Sequence, residues 1–418
     1  MKKIPILILI FFALQVNAQD ALSLKDCYNL VAKNYPLAKQ TDLLTQQAQL
    51  EKAIVAKNKL PKLDFLAQST YQSDVTFLPV AIPNTSVEPP NKDQYKATIS
   101  VNQLIYNDGL IKASTSLKKS EFETKQQQVS VNLYQLKYTV NQLYFSILLL
   151  QEKTLLLKSK ESQLQSKLKE VNAGIKYGEI LPASNQVLEA ELLKIDQQLA
   201  DVKNTKNNLF ETLSSIIGKK ITETTILKNP EVTTDITLKI NRPETKLFEL
   251  QKTQINVSEQ VLTKKNAPKL VGFATGGYGN PGLNMLDNSF QTFYMVGVKL
   301  NWNIFDWNTV KKQKQSLEIN KDIIDNQHEI FNLNTNIELQ KQVTEIAKLK
   351  TFIKSDKQII ELRKNVLKTA ESQLKNGVIT SSAYLTEFTN LYEAKNNLNT
   401  HNIQLLLAKA TYNTTLGN

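Results

Sequence analysis

Few residues in this chain could do chemistry. There are two histidines, His328 and His401, and one cysteine, Cys27. A zinc-type site draws three or four ligands from closely spaced His and Cys, so no such cluster can be assembled, and a metal would have to rely on carboxylates. Neither histidine has ligand-like neighbours, and His401 reads as lying near the end of the last helix, where a polar or positive residue is ordinary. Cys27 has no partner for an intrachain disulfide. It also lacks the small preceding residues of a lipid-attachment cysteine, and it reads as a buried thiol. The run Gly276-Gly277-Tyr278-Gly279-Asn280-Pro281-Gly282 is glycine-rich enough to cradle phosphate, yet it opens no helix and reads as an extracellular hairpin loop. Neither a nucleophile elbow nor a phosphate-binding loop is present. These residues point away from an enzyme, a cofactor or a metal, and toward whatever the long elements of the chain build.

The N-terminus carries Lys2 and Lys3, an apolar run over 4–14, and Val16-Asn17-Ala18 as a small-residue cleavage site. That is the pattern of a secretory signal over residues 1–18. No later stretch supplies the ~18 uninterrupted apolar residues of a membrane helix. The expectation is export without a helical anchor. Net charge is +12, or about +10 without Lys2 and Lys3. The lysines are scattered among Gln and Asn, as on solvated helix faces, rather than gathered with aromatics as nucleic-acid binding requires.

Only 12 Gly and 12 Pro punctuate 418 residues, so the elements must be long. The chain also aligns with itself. At an offset of 199, Tyr95 falls on Tyr294, Asn102 on Asn301, Ile105 on Ile304, Gly178 on Gly377, Leu192 on Leu391 and Gly218 on Gly417. Upstream the offset is 207, with Asn34 on Asn241, Pro36 on Pro243 and Tyr71 on Tyr278. The eight extra residues of the first half fall in a loop holding Pro79, Pro83, Pro89 and Pro90. The expected organisation is a first repeat over 19–218, a linker over 219–240 and a second repeat over 241–418.

Each repeat reads as helix, β-hairpin, very long helix, turn and helix. In the first, the hairpin spans 61–106, the long helix 106–175 and the last helix 182–217. In the second, the corresponding ranges are 268–305, 305–374 and 381–417. Leu133, Leu136, Val140, Leu143, Ile147, Leu150, Leu157, Leu164, Leu168, Val171 and Ile175 advance by threes, fours and sevens, which is a coiled-coil stripe. The stripe resumes after Gly178, and Gly218 ends it as a C-terminal cap. The first helix is expected as one piece from about 23 to 58. It and the helix over 182–217 together match the length of the long one, suggesting two short helices stacked beside one continuous helix.

The strands alternate. Tyr95, Ala97, Ile99 and Val101 face one side, and Lys96, Thr98, Ser100 and Asn102 the other. Tyr294, Val296, Val298 and Leu300 form the matching apolar face in the second hairpin, although Phe293 and Met295 spoil its polar side. In an exported chain with no membrane helix, strands of about ten residues with terminal tyrosines fit a transmembrane β-barrel. Four strands cannot close a barrel, so several copies must share one, and three copies supply twelve strands.

The arrangement resembles the TolC family of outer-membrane efflux proteins over essentially all of the mature chain. The residues that carry the resemblance are Leu60-Pro61-Lys62-Leu63, Ala267-Pro268-Lys269-Leu270, Leu104-Ile105-Tyr106-Asn107-Asp108-Gly109, Asn303-Ile304-Phe305-Asp306-Trp307-Asn308 and the helix segment Val140-Asn141-Gln142-Leu143-Tyr144-Phe145-Ser146-Ile147-Leu148. The resemblance implies a mainly α fold with a small β part: tandem long coiled-coil hairpins forming an α-barrel, and four strands per chain in a shared twelve-stranded membrane barrel of a homotrimer. It implies an outer-membrane location extending into the periplasm, and passive export in a tripartite efflux or type I secretion system with a periplasmic adaptor and an inner-membrane pump. The adaptor would meet the helical tips, here Ile175, Lys176, Tyr177, Gly178, Ile180, Leu374, Lys375, Asn376, Gly377, Ile379 and Thr380. Leu181 stands where the family has a small hydroxyl residue, and Ser184 and Ala383 stand where it often has an acid. Residues 219–240 resemble the family's equatorial segment. The alternatives are a periplasmic structural coiled coil and an adaptor protein.

Overall fold

The computed structural model describes residues 21–77, 88–178, 180, 182–234 and 239–417. The signal segment, Pro79, Pro83 and Leu181 lie outside these. The element order is α1 (Leu24–Asn34), a 3-10 turn (Pro36–Ala38), α2 (Lys39–Lys57), β1 (Lys62–Tyr71), β2 (Asp93–Tyr106), α3 (Leu110–Lys176) and α4 (Ala183–Ile217). The remaining elements are α5 (Pro243–Lys265), β3 (Lys269–Asn280), β4 (Gln291–Asn301), α6 (Thr309–Lys375) and α7 (Ser381–Leu416). α3 and α6 have 67 residues each, and both their ends differ by 199. No described helix is long and apolar enough to cross a membrane.

Three boundaries differ from the sequence reading, each for a local reason. The first helix is not one piece: α1 stops at Asn34 because Tyr35, at φ −60 and ψ 137, precedes Pro36. A residue before proline is pushed into extended backbone. In the second half the matching proline, Pro243, opens α5 instead, since the first helical turn tolerates a missing N–H. The long helices start four residues later than expected. Asp108 and Gly109 in the first half, and Trp307 and Asn308 in the second, take positive φ and turn the strand into the helix. Finally, Gly276, Gly277 and Gly279 belong to β3 rather than to a loop.

The described chain divides into two compact units. One comprises Gln40–Val129 and Glu244–Phe331, which hold the sheet, α2, α5 and the first turns of α3 and α6. Its helices are joined by polar contacts. Gln126 Nε2 donates to Thr45 Oγ1 at 2.8 Å and Lys252 pairs with Asp325 at 2.8 Å. Phe248 stacks on His328, with ring centroids 5.1 Å apart.

The other unit comprises the described parts of Met1–Lys39, Ser130–Pro243 and Asn332–Asn418. Its first core gathers Cys27, Val140, Tyr144, Phe145, Ile147, Phe210 and Leu213, with Ile221 and Leu227 of the segment after α4. The fully buried Tyr144 hydroxyl lies 2.9 Å from the Leu22 carbonyl and 2.7 Å from that of Lys228, and burial raises its pKa. Leu22 bridges Leu227. The described part of residues 219–240 thus packs beside the middle of α3. Burial, with Asp26 beside it, pushes the Cys27 thiol up to about 12, so it stays protonated and inert.

A second core, Leu164, Val171, Leu188, Ile195, Leu367, Leu374, Tyr384 and Phe388 among others, joins the α3–α4 hairpin to α6–α7. Here the coiled-coil stripe becomes one shared interior. A buried ion pair, Lys160 to Glu191 at 2.7 Å, crosses between α3 and α4. His401 is not near the helix end. It sits well inside α7, its Nδ1 2.6 Å from the carboxylate of the buried Asp356 on α6, with Phe352 against the ring.

Candidate functional site

The four strands form one antiparallel sheet in the order β1-β2-β3-β4. Register decides what each face carries, because successive side chains alternate sides. Phe65 pairs with Ile99, which pairs with Gly276, which pairs with Tyr294. Leu63, Val101, Ala274 and Val296 form the adjacent row. Tyr95, Ala97, Ile99 and Val101 therefore share one face with Tyr294, Val296, Val298 and Leu300. Among the described residues no helix or strand covers this face: Leu63 and Phe65 are 71% exposed, Val296 72% and Tyr294 80%. Among the described residues its one formal charge is Asp93, at the loop end opposite Tyr71. Tyrosines cluster at that end, where Phe290 stacks on Tyr278 and Tyr95 at 5.4 and 6.3 Å. Beyond the opposite end stand the exposed Trp302, Ile304, Phe305 and Trp307. The ten residues of β1 run roughly 33 Å, which at a tilt of about 40° crosses roughly 25 Å, the height of an apolar membrane band.

The opposite face is largely polar. Ser100 and Thr275 hydroxyls lie 3.0 Å apart, and Asn102 Nδ2 donates to Asp64 at 3.4 Å. Phe293, which interrupts the polar pattern, has a structural reason to be there. A Cβ built on Gly277 would lie 2.5 Å from the Phe293 ring, and one on Gly297 would lie 2.8 Å from the ring of Phe273. Each phenyl ring thus covers a glycine on the neighbouring strand, an aromatic–glycine pairing that fixes register. Gly277→Ala also brings its Cβ to 2.9 Å from the Ala97 carbonyl, and is expected to cost roughly 1–3 kcal/mol as an overpacking change. Gly276→Ala, whose nearest atom is 4.0 Å away, should be nearly silent. The melting temperatures of the two variants in detergent make the comparison; equal losses would contradict it.

In the helical unit, two turns carry the other candidate residues. Gly178, at φ 76, donates its N–H to the Ile175 carbonyl at 3.1 Å, and Gly377, at φ 69, donates to Leu374 at 3.1 Å. Glycine takes this left-handed conformation without strain. Thr380 caps α7 by accepting from the Ala383 N–H at 3.2 Å, whereas Pro182 at the start of α4 gives no side-chain cap. Leu374 is buried, Ile175, Ile180 and Ile379 are half-buried, and Lys176, Tyr177, Gly178, Lys375, Asn376, Gly377 and Thr380 are exposed. Between the turns lies a groove of about 470 Å³ lined by Lys167, Glu170, Gly174, Tyr177, Ile180 and Leu374. In the same core Tyr384 stacks on Phe388, whose ring lies tilted 4.9 Å from that of Tyr392, and burial raises the pKa of both tyrosines.

No protein-family model and no curated protein matches the chain. Solved structures do. The Campylobacter jejuni CmeC outer membrane channel is 17% identical over 94% of this chain and 85% of its own, with a TM-score of 0.65. The Vibrio cholerae outer membrane protein VceC is 15% identical over 94% and 96%, with a TM-score of 0.68. The open state of the Neisseria gonorrhoeae MtrE outer membrane channel is 14% identical over 94% and 89%, with a TM-score of 0.67. The chain has the outer-membrane channel fold.

Within this channel fold the predicted residues fall into two groups, one on the sheet face and one at the helical turns. Two others carry no mark in the sequence reading. Gly174 lies inside α3, where an added Cβ would come within 2.7 Å of Ile180, so it seats that side chain; an isolated glycine within a heptad stripe is its signal. Val378, next to Gly377, is 69% exposed, an apolar side chain at a turn tip.

Proposed function

We propose that three copies of the chain close a twelve-stranded barrel in the outer membrane, continued by a helical tube into the periplasm, and that the assembly is a passive export conduit. The observation that carries this reading is the exposed apolar sheet face, bounded by two strands, β1 and β4, that among the described residues each pair on one side alone. An open edge cannot persist in lipid, because its backbone groups would go unpaired. Pairing β4 of one copy with β1 of the next removes both edges.

Side-chain patterns on the adjoining helices support the same closure. α2, which leads into β1, exposes Leu43, Leu50 and Ile54, at 61%, 66% and 59%. α6, which follows β4, exposes Ile319, Ile323 and Ile330, at 59%, 49% and 50%. Steps of seven and four are those of a coiled-coil seam. Two different stripes at opposite edges suit a head-to-tail interface, which closes into a ring when the rotation between copies completes a turn.

Residues 1–18 act in this reading as an export signal, so the mature chain begins at Gln19. The turns around Gly178 and Gly377, with the groove between them, receive a periplasmic adaptor that couples the conduit to an inner-membrane pump. Energy comes from the pump, and the chain performs no chemistry. The test is the pair Tyr177→Asp and Val378→Asp, both exposed at the turns. Outer-membrane assembly is expected to stay unchanged while efflux in cells drops at least tenfold. Unchanged efflux would contradict the docking assignment.

A further inference from the structure

The sheet register sorts charge as sharply as it sorts hydrophobicity. Of the charged strand residues, only Asp93 lies on the apolar face; Lys62, Asp64, Lys96, Lys269 and Lys299 all lie on the other. Four lysines against one aspartate leave +3 per chain on that face, hence +9 in a barrel of three. Among the described residues, no carboxylate lies within ion-pair distance of any of these lysines. Asp64 is itself engaged by Asn102. Lys96 stands with its ammonium 4.9 Å from the centre of the Phe293 ring, which holds the charge in place without neutralising it.

We propose that this face lines the pore as a cationic collar and makes the channel favour anions, so that the solutes it passes most readily are negatively charged. The proposal rests on the barrel reading, in which the apolar face meets lipid and the opposite face meets the lumen. A ring of uncompensated lysines between low-dielectric walls concentrates anions and repels cations. Rows of the sheet place Lys62, Lys269 and Lys299 toward the helix end and Lys96 toward the loop end. A permeating ion therefore meets positive charge at both ends of the collar. Met295 and Phe293 lie between them on the same face, and Phe273 shares the Lys62 row, so the passage suits anions that also carry apolar groups.

The experiment is the reversal potential of the full-length mature protein in planar bilayers under a potassium chloride gradient. Wild type is expected to prefer chloride over potassium roughly threefold or more at low salt. The preference should fade near 1 M, where charges are screened beyond ~3 Å. The double variant Lys96→Glu, Lys299→Glu changes the face from +3 to −1 per chain and is expected to shift the preference toward potassium. Both substitutions are on a wet face, and retention of the heat-sensitive oligomer checks assembly. Potassium preference in wild type, or a chloride preference that the double variant leaves unchanged, overturns the proposal. A correctly assembled oligomer that never conducts overturns instead the conduit reading beneath it.

Discussion

Arginine in place of Val296 is expected to abolish recovery of the chain in the outer membrane, whereas lysine in place of Met295, one residue away, should leave it there. Val296 lies mid-strand on β4, in a row with Leu63, Val101 and Ala274, and is 72% exposed on the apolar face. An arginine at the bilayer midplane costs roughly 2–4 kcal/mol, and three copies of the substitution in one barrel bring this to roughly 6–12 kcal/mol. That is comparable to the whole stability of a typical domain. Met295 points to the opposite face, where Thr275 pairs with it and Ser100 follows in the same row, and a lysine there stays in water. Membrane fractionation with heat-modifiable electrophoresis reads both variants. Recovery of both variants would mean that the Val296 face does not meet lipid, and loss of both would mean that register does not separate a lipid face from a polar one.

The second large effect is expected in the helical unit. Gly417→Ala should lower stability by about 2–5 kcal/mol, combining left-handed strain with a backbone clash. Gly417 has φ 113, and a Cβ there would fall 2.3 Å from the Asn241 backbone carbonyl. No side-chain rotation relieves that contact. Gly218 repeats the situation, with φ 61 and a Cβ 2.6 Å from that of Asn34. The two sites also share a function: Asn34 Nδ2 donates to the Ile217 carbonyl at 3.0 Å, and the Asn241 N–H donates to Leu416 at 2.8 Å. Each glycine ends a helix while letting the start of its own repeat pack against that end. Gly109→Asn is the control, because Gly109 has φ 75 but nothing within 4 Å of a Cβ, and asparagine tolerates that conformation. Circular dichroism melts should show a large loss for Gly417→Ala and almost none for Gly109→Asn. A mild Gly417 variant would mean that α7 and the chain at Asn241 separate easily.

The pairing of Asn34 with Gly218, and of Asn241 with Gly417, shows what the amino-acid pattern made legible. Both pairs stand out in the self-alignment, and the contact between their members explains why both recur. The apolar stripe of α3 is equally plain, since a coiled-coil interior repeats by sevens whatever its partner. Less was legible where one residue serves another's packing. Phe293 reads as a flaw in the alternation until Gly277 is seen beneath its ring, and Gly276 to Gly279 read as a loop because glycine marks turns more often than close strand approach. The break after Asn34 is not marked in sequence because a proline can either follow a helix end or begin a helix. His401 has no partner near it in sequence, because Asp356, which it meets, lies 45 residues back in the chain. At the helical turns, the glycines are visible in sequence, but the groove between the two hairpins exists only once both are folded.

The central claim is the shared membrane barrel, and the most direct measurement is the mass of the mature protein extracted from outer membranes in detergent. The expected result is a heat-sensitive species of about three chains, found with the outer membrane and requiring detergent to leave it. A detergent-independent monomer or dimer in the periplasmic fraction would contradict the account, and the apolar sheet face would then have to be covered by something other than lipid.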